Sequence, residues 1–200
     1  MNTNQKVGLK YYEDFKERMP REEAGEIADF VKTEAEKLFG EAIQVTACGS
    51  FRRGKQTCGD VDCLITRTDS KPIDGLLEKL LNRLEALGFL RERLSFSGKS
   101  YMGVCQVEGR DKSRRIDIKT YAKEEYGFAL LYFTGSDYFN RSMRLYAEKK
   151  GYTLSDHGLA PVQRIDGKKV SKGMVVPCQT EEAVFKALGL PYKTPAERDL

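Results

Sequence analysis

Residues 60–66 read Asp-Val-Asp-Cys-Leu-Ile-Thr, an apolar run that opens on two carboxylates one residue apart. On a strand, residues i and i+2 point to the same face, about 6.7 Å apart. Asp60 and Asp62 would then project together, while Val61, Cys63 and Ile65 face the other way. A strand this apolar is no solvated edge, and like charges on one of its faces repel unless something positive lies between them. The run therefore belongs in a sheet that buries one face and reserves the other for a cation. The competing reading is an acidic turn following Gly59. Oxygen-only ligands select a hard cation, Mg²⁺ first, with Mn²⁺ as its substitute. A third carboxylate, Asp117, interrupts "RRIDIKT" in the same way, with Ile116 and Ile118 facing the core and Asp117 facing out.

The upstream half narrows the choice. "AIQVTAC" (42–48) reads as a strand, and it runs into Gly49, Ser50 and the basic pair Arg52 and Arg53. Gly49 lets a phosphate approach the backbone. Ser50 can cap a short helix or donate its hydroxyl, and free N–H groups at a helix start attract anions. Arg53 or Arg52 can neutralise the remaining charge. Phosphates on one side and paired carboxylates on the other form the layout of nucleotidyl transfer. There, two metal ions about 3.5–4 Å apart flank an in-line displacement at phosphorus.

The rest of the chain reads as α+β. Residues 20–39 predict a helix with Pro20 at its first position and Gly40 at its end. "PIDGLLEKLLNRLEALGF" predicts a second, with a stripe from Ile73 to Leu87 and Gly88 after its end. Residues 101–107 and 114–121 predict two more strands. After a soft boundary near residue 121, "EYGFALLYFTG" reads as a short apolar helix or turn. "SDYFNRSMRLYAEKKG" reads as a helix capped by Ser136, "VQRIDGKKV" as a tight hairpin, and "QTEEAVFKALG" as a helix capped by Thr180. Asp137, Asn140, Arg141 and Arg144 fall at i, i+3, i+4 and i+7, so they share one polar helix face, with Phe139, Met143 and Tyr146 opposite. No apolar stretch approaches the roughly 20 residues of a membrane helix, and the N-terminus shows no secretory h-region. Cys48, Cys58, Cys63, Cys105 and Cys178 form no Cys-x-x-Cys pair and read as reduced intracellular thiols. His157 reads as a surface or packing residue. The net charge of +4 is compatible with a polyanionic partner without requiring one.

"YYEDFKERMPREEA", "CGSFRRGKQTCGDVDCLIT", "YMGVCQV", "RRIDIK", "LYFTGSDYFNRSMR" and "LGLPYKTPAERD", in this order from about Gly8 to Asp199, resemble the X family of DNA polymerases, its lambda and beta branches above all. The resemblance implies an α+β fold. It places a nucleotidyltransferase-type palm sheet with flanking helices at 8–120 and a small nucleotide-selecting subdomain at 121–200, with no N-terminal lyase or helix-hairpin-helix domain. It implies that Asp60 and Asp62 hold two Mg²⁺ ions, and that Asp117 binds the one at the primer 3′-hydroxyl. Gly49, Ser50 and Arg53 would hold the triphosphate, with Gly59 close by. Tyr132, Phe133, Thr134 and Gly135 would wall the incoming sugar and base. Asp137 would stack on that base and Asn140 would reach its minor-groove edge. Arg144 and Arg141 would contact the template side, and Arg115 a primer phosphate. Lys119 and Asp156 stand where relatives carry an Arg and a Glu that pair on closing. The implied activity is templated addition of dNTPs to primer-template or gapped DNA by a monomer. The implied setting is short-gap filling in base excision repair or end joining, in the nucleus, or in the cytoplasm or with a virus for a viral minimal enzyme. The alternatives are a nucleotidyltransferase acting on a small molecule or RNA end, and an inactive DNA-binding scaffold.

Overall fold

The computed structural model describes residues 3–199, which fall into two compact units divided between Ala122 and Lys123. The first unit begins with two short helices, α1 (Thr3–Lys10) and α2 (Tyr12–Lys16). Strand β1 (Met19–Pro20) then leads into the long helix α3 (Arg21–Phe39). Next come β2 (Ile43–Ala47), a single helical turn α4 (Gly49–Arg52), β3 (Thr57–Cys58) and β4 (Val61–Arg67). Helix α5 (Leu76–Ala86), β5 (Leu90–Ser97), β6 (Ser100–Cys105) and β7 (Arg114–Thr120) complete the unit.

The main sheet has five strands in the order β2-β4-β7-β6-β5. Among the described strands, β4 and β7 form the one parallel pair, and it sits at the centre of this sheet. Helices α3 and α5 close one face. Ala24, Ile27, Val31 and Ala35 of α3 and Leu77, Leu80, Leu81 and Leu84 of α5 are fully buried against Val61, Cys63, Ile65, Ile116 and Ile118. Each such Leu contributes about 1.5–3 kcal/mol by leaving water, so this face anchors the unit.

Three sequence expectations need correction. Pro20 is the N-cap of α3, not its first helical residue, and its extended backbone pairs with Thr57 across β1 and β3. The second helix starts only at Leu76, because Gly75 takes a left-handed φ of +72° that ends the approach of Ile73. Asp60 lies in the bend before β4, so only Asp62 is a strand residue. Strand β5, absent from the elements read in the sequence, pairs with β6 from Leu90↔Cys105 to Ser97↔Ser100. Gly88 follows the helix end as expected, with φ +70°.

The second unit starts with a 3-10 turn (Lys123–Glu125) and α6 (Tyr126–Thr134), followed by α7 (Asp137–Lys149). Strands β8 (Tyr152–Ser155), β9 (Gly158–Ile165) and β10 (Lys168–Lys172) form an antiparallel sheet in the order β10-β9-β8. Helix α8 (Glu181–Ala187) and a 3-10 turn (Pro195–Arg198) end it. Asp166 and Gly167 both have positive φ between β9 and β10, as an Asp-Gly hairpin requires. Ser136 caps α7 by accepting the Phe139 N–H, and Thr180 caps α8 by accepting the Ala183 N–H. Phe128, Leu131, Phe139, Met143, Leu159, Val184 and Phe185 make this unit's own core.

Candidate active site

In the first unit, the parallel register sets Asp62 of β4 directly opposite Asp117 of β7. Parallel neighbours lie about 4.8 Å apart and point to the same face, so the two carboxylates stand side by side on the face that α3 and α5 leave uncovered. Burial holds Asp62 up to about 7, with Asp60 and Asp117 adding to the rise and Lys119 and Arg115 opposing it. Burial also raises Asp117, against the pull of Lys119. Asp60 sits nearby but is drawn to Arg115, whose Nη2 donates to its Oδ2 at 3.2 Å. Lys119, outward on β7, donates to Ser100 Oγ at 3.0 Å.

Among the described residues, no three His, Cys, Asp or Glu side chains gather as a ready ligand set. The donors present nevertheless suit a divalent cation. Asp117 Oδ1 is buried and accepts no hydrogen bond among the described residues. A buried carboxylate oxygen without a partner is destabilising by a few kcal/mol and calls for an occupant. Two adjacent carboxylates, both pushed upward by burial, offer hard oxygen ligands and an excess of negative charge.

Beside them lies the turn that sequence reading assigns to phosphate. Gly49 opens α4 with φ +56°, and a Cβ there would lie 2.3 Å from Asp62 Oδ2. Only glycine allows this approach, which fixes α4 against the carboxylate. The Cys48 N–H donates to the Asp62 carbonyl at 2.8 Å, tying the two segments together. Ser50 and Arg53 follow within the same turn, and the Arg53 N–H donates to the Gly49 carbonyl at 3.2 Å. Gly59 is exposed, and a Cβ there would meet Arg18 Nη1 at 3.5 Å.

Sequence reasoning missed the two arginines that shape this turn. Arg21 lies over the Phe51 ring at 4.1 Å and donates to the Phe51 carbonyl at 2.5 Å. Arg18 donates through Nε to Thr57 Oγ1 and through Nη2 to the Thr57 carbonyl. Both cations precede or open α3, and only the fold brings them to residues 49–59. Arg114 is the third omission. It is buried on the core side of β7, with Nε and Nη2 on the two Glu23 oxygens at 2.7 and 2.8 Å, and Nη1 on the Glu17 carbonyl at 2.9 Å.

In the second unit, α6 ends at a sharp corner. Tyr132 and Phe133 meet edge to face with centroids 5.0 Å apart. Thr134 is fully buried and its hydroxyl donates to the Leu130 carbonyl at 2.6 Å, so it presents backbone rather than side chain. Gly135 carries φ +69° and joins Ser136 through a cis peptide. Across the corner, Asn140 Nδ2 donates to the Tyr132 carbonyl at 2.7 Å, and Arg144 lies over the Tyr132 ring at 5.8 Å. Asp137 and Arg141 are exposed and pair at 3.3 Å. His157 stands between two carboxylates, with Nδ1 3.0 Å from Glu125 and Nε2 3.5 Å from Asp156. The five cysteines are buried thiols.

The family model described as DNA polymerase beta palm matches residues 18–123, and that described as DNA polymerase beta thumb matches residues 129–199. A DNA polymerase lambda of Rattus norvegicus is 48% identical over 207 residues, covering 100% of this chain and 36% of that protein. A DNA polymerase lambda of Arabidopsis thaliana is 40% identical over 208 residues, covering 98% of this chain and 39% of that protein. The chain thus spans less than two fifths of the length of these relatives.

Proposed function

The chain belongs to the X family of DNA polymerases, and from that premise we propose that it adds dNTPs to a primer 3′-hydroxyl under the direction of a template strand. The observation that carries this reading is the pair Asp62 and Asp117, adjacent on parallel strands, with an unbonded buried oxygen on Asp117 and Gly49 pressed against Asp62. Asp60 and Asp62 would hold two divalent ions, Mg²⁺ or Mn²⁺, and Asp117 the one beside the primer hydroxyl. Such ions, when bound, neutralise charge at the reacting phosphorus and ease loss of the hydroxyl proton.

The residues of the chain supply the remainder. Asp117, beside the primer hydroxyl, would help take its proton as the new oxygen–phosphorus bond forms and pyrophosphate leaves. Gly49, Ser50 and Arg53 present N–H groups, a hydroxyl and a guanidinium to the triphosphate, with Gly59 at the edge of the same turn. Arg115, which donates to Asp60 in this structure, would serve a primer phosphate. Tyr132, Phe133 and the backbone of Thr134 and Gly135 wall the sugar. Asp137 and Asn140 meet the incoming base, and Arg141 and Arg144 the template side. The first unit acts as a palm and the second as a nucleotide-selecting subdomain, in short-gap DNA repair in the nucleus.

Primer extension on gapped DNA, offered each dNTP singly with Mg²⁺, tests this. Addition of only the complementary nucleotide is expected. Untemplated transfer, or DNA binding without turnover, would overturn it.

A further inference from the structure

Arg198, in the last 3-10 turn, has no exposed surface. Its Nη1 lies 2.6 Å from Glu181 Oε1, itself buried at the start of α8, and its Nε donates to the Lys193 carbonyl at 2.9 Å. Its guanidinium carbon sits 5.8 Å from the Phe139 ring centre and 5.4 Å from those of Phe185 and Tyr192. Nη2 has no hydrogen-bond partner among the described residues. Cohesion alone does not call for this arrangement. A buried ion pair is often no more stabilising than apolar side chains of the same volume, and an orphaned N–H counts against it. A charged fork held by a carboxylate and ringed by three aromatics gives fixed position instead.

The fixed position reaches the corner between α6 and α7. The Arg198 carbonyl accepts the Ser136 N–H at 3.2 Å. Ser136 in turn caps α7 through the Phe139 N–H and accepts the Asn140 N–H on its carbonyl at 2.9 Å. Asn140 then fixes the Tyr132 carbonyl. Every step of this chain of contacts lies within the second unit.

We propose that Arg198 is a positioning residue for nucleotide selection, setting the Tyr132–Asn140 corner through its own main-chain carbonyl at Ser136. The proposal rests on the reading of that corner as the wall of the incoming nucleotide. Such a wall holds the sugar and base rather than the reacting phosphorus, so a soft anchor would show in how well the nucleotide is held and discriminated rather than in the maximal rate.

The test uses the full chain with Arg198→Lys and with the double variant Glu181→Gln/Arg198→Met. The double variant leaves no buried charge alone should the single one fail to fold. Amide hydrogen exchange reads the anchor directly: protection at Ser136 is expected to fall by about tenfold or more while amides of β4 keep theirs. Single-turnover incorporation of dCTP and CTP opposite template dG reads the consequence. The apparent dissociation constant for dCTP rises about three- to tenfold and the preference for dCTP narrows by a similar factor, while the maximal rate stays within about twofold. These ratios are independent of the folded fraction, so a merely structural role would leave them unmoved. Unchanged protection at Ser136, or an unchanged preference, in both variants would overturn the proposal. A wild type without templated addition would remove the polymerase reading, and the exchange measurement would then decide the anchor by itself.

Discussion

Arg114 and Asp117 lie three residues apart on β7, one toward each face of the sheet, and both hold charged atoms out of water. Toward the helices, Arg114 is fully engaged by the Glu23 carboxylate and by main-chain carbonyls. On the other face, Asp117 keeps a buried oxygen without a partner beside a second carboxylate that burial has pushed toward neutrality. The same strand thus holds one compensated charge and one uncompensated charge. Compensation marks a joint between α3 and the sheet. Its absence marks a place kept for a ligand, since native folds leave few buried polar atoms unbonded.

The sharpest way to separate the two faces is to remove one charge from each. Asp62→Asn and Asp117→Asn should each lower single-turnover extension with Mg²⁺ by about a thousandfold or more, because a lost ligand withdraws several kcal/mol of charge stabilisation. Near-native extension by Asp117→Asn would sink the assignment. Glu23→Gln should do the opposite. It leaves Arg114 buried without its anion and lowers the unfolding free energy by about 3–5 kcal/mol in urea titrations, while extension per folded molecule changes little. A large specific loss of extension in Glu23→Gln would erase the contrast between the faces.

Smaller effects sharpen it. Gly49→Ala forces a Cβ toward Asp62 Oδ2 at a left-handed φ. It should cost about 1–3 kcal/mol, read as a 10- to 100-fold lower extension rate with a higher Mg²⁺ requirement. An unaffected Mg²⁺ requirement would mean that the contact does not shape the carboxylate. The smallest effect has the reverse sign. Without metal at pH 8, Asp62→Asn should stabilise the fold by about 1–2 kcal/mol, since it removes a buried charge that its neighbours repel. Thermal melts should also show Mg²⁺ raising the midpoint of the wild type more than that of the variant.

Much of the fold was legible because period-two alternation is a direct readout of a sheet. In "RRIDIK" it placed Ile116 and Ile118 inward and Asp117 outward, as their burial shows. The same alternation puts Arg114 inward, where residue type argues for solvent. Only the fold resolves that conflict, by delivering Glu23 from α3. Strand β5 escaped notice because most of "LRERLSFS" stays exposed, and its partner β6, not its own pattern, makes it a strand. Capping at Ser136 and Thr180 was legible because it is local. The approach of Gly49 to Asp62, the capture of Asp60 by Arg115 and the cage around Arg198 were not, because each joins segments whose separation in sequence carries no periodic signal. The acidic residues of the candidate site could be named from sequence, but which of them face one another is a matter of register.

The central parallel pair also bears on how the molecule comes into being. Asp62 and Asp117 belong to strands that cannot be joined by a hairpin, and the chain must lay down α5 and the β5–β6 hairpin before β7 can dock on β4. Closing that long excursion is entropically slow compared with forming the local hairpins on either side. The pairing that sets the two carboxylates side by side is therefore the slower one, and the leucine-lined face of α5 is what holds the strands together against their repulsion. During synthesis, an emerging chain that has not yet reached Asp117 carries only Asp60 and Asp62 of the three carboxylates, so the full cluster and the central pairing of the sheet arrive in the same event.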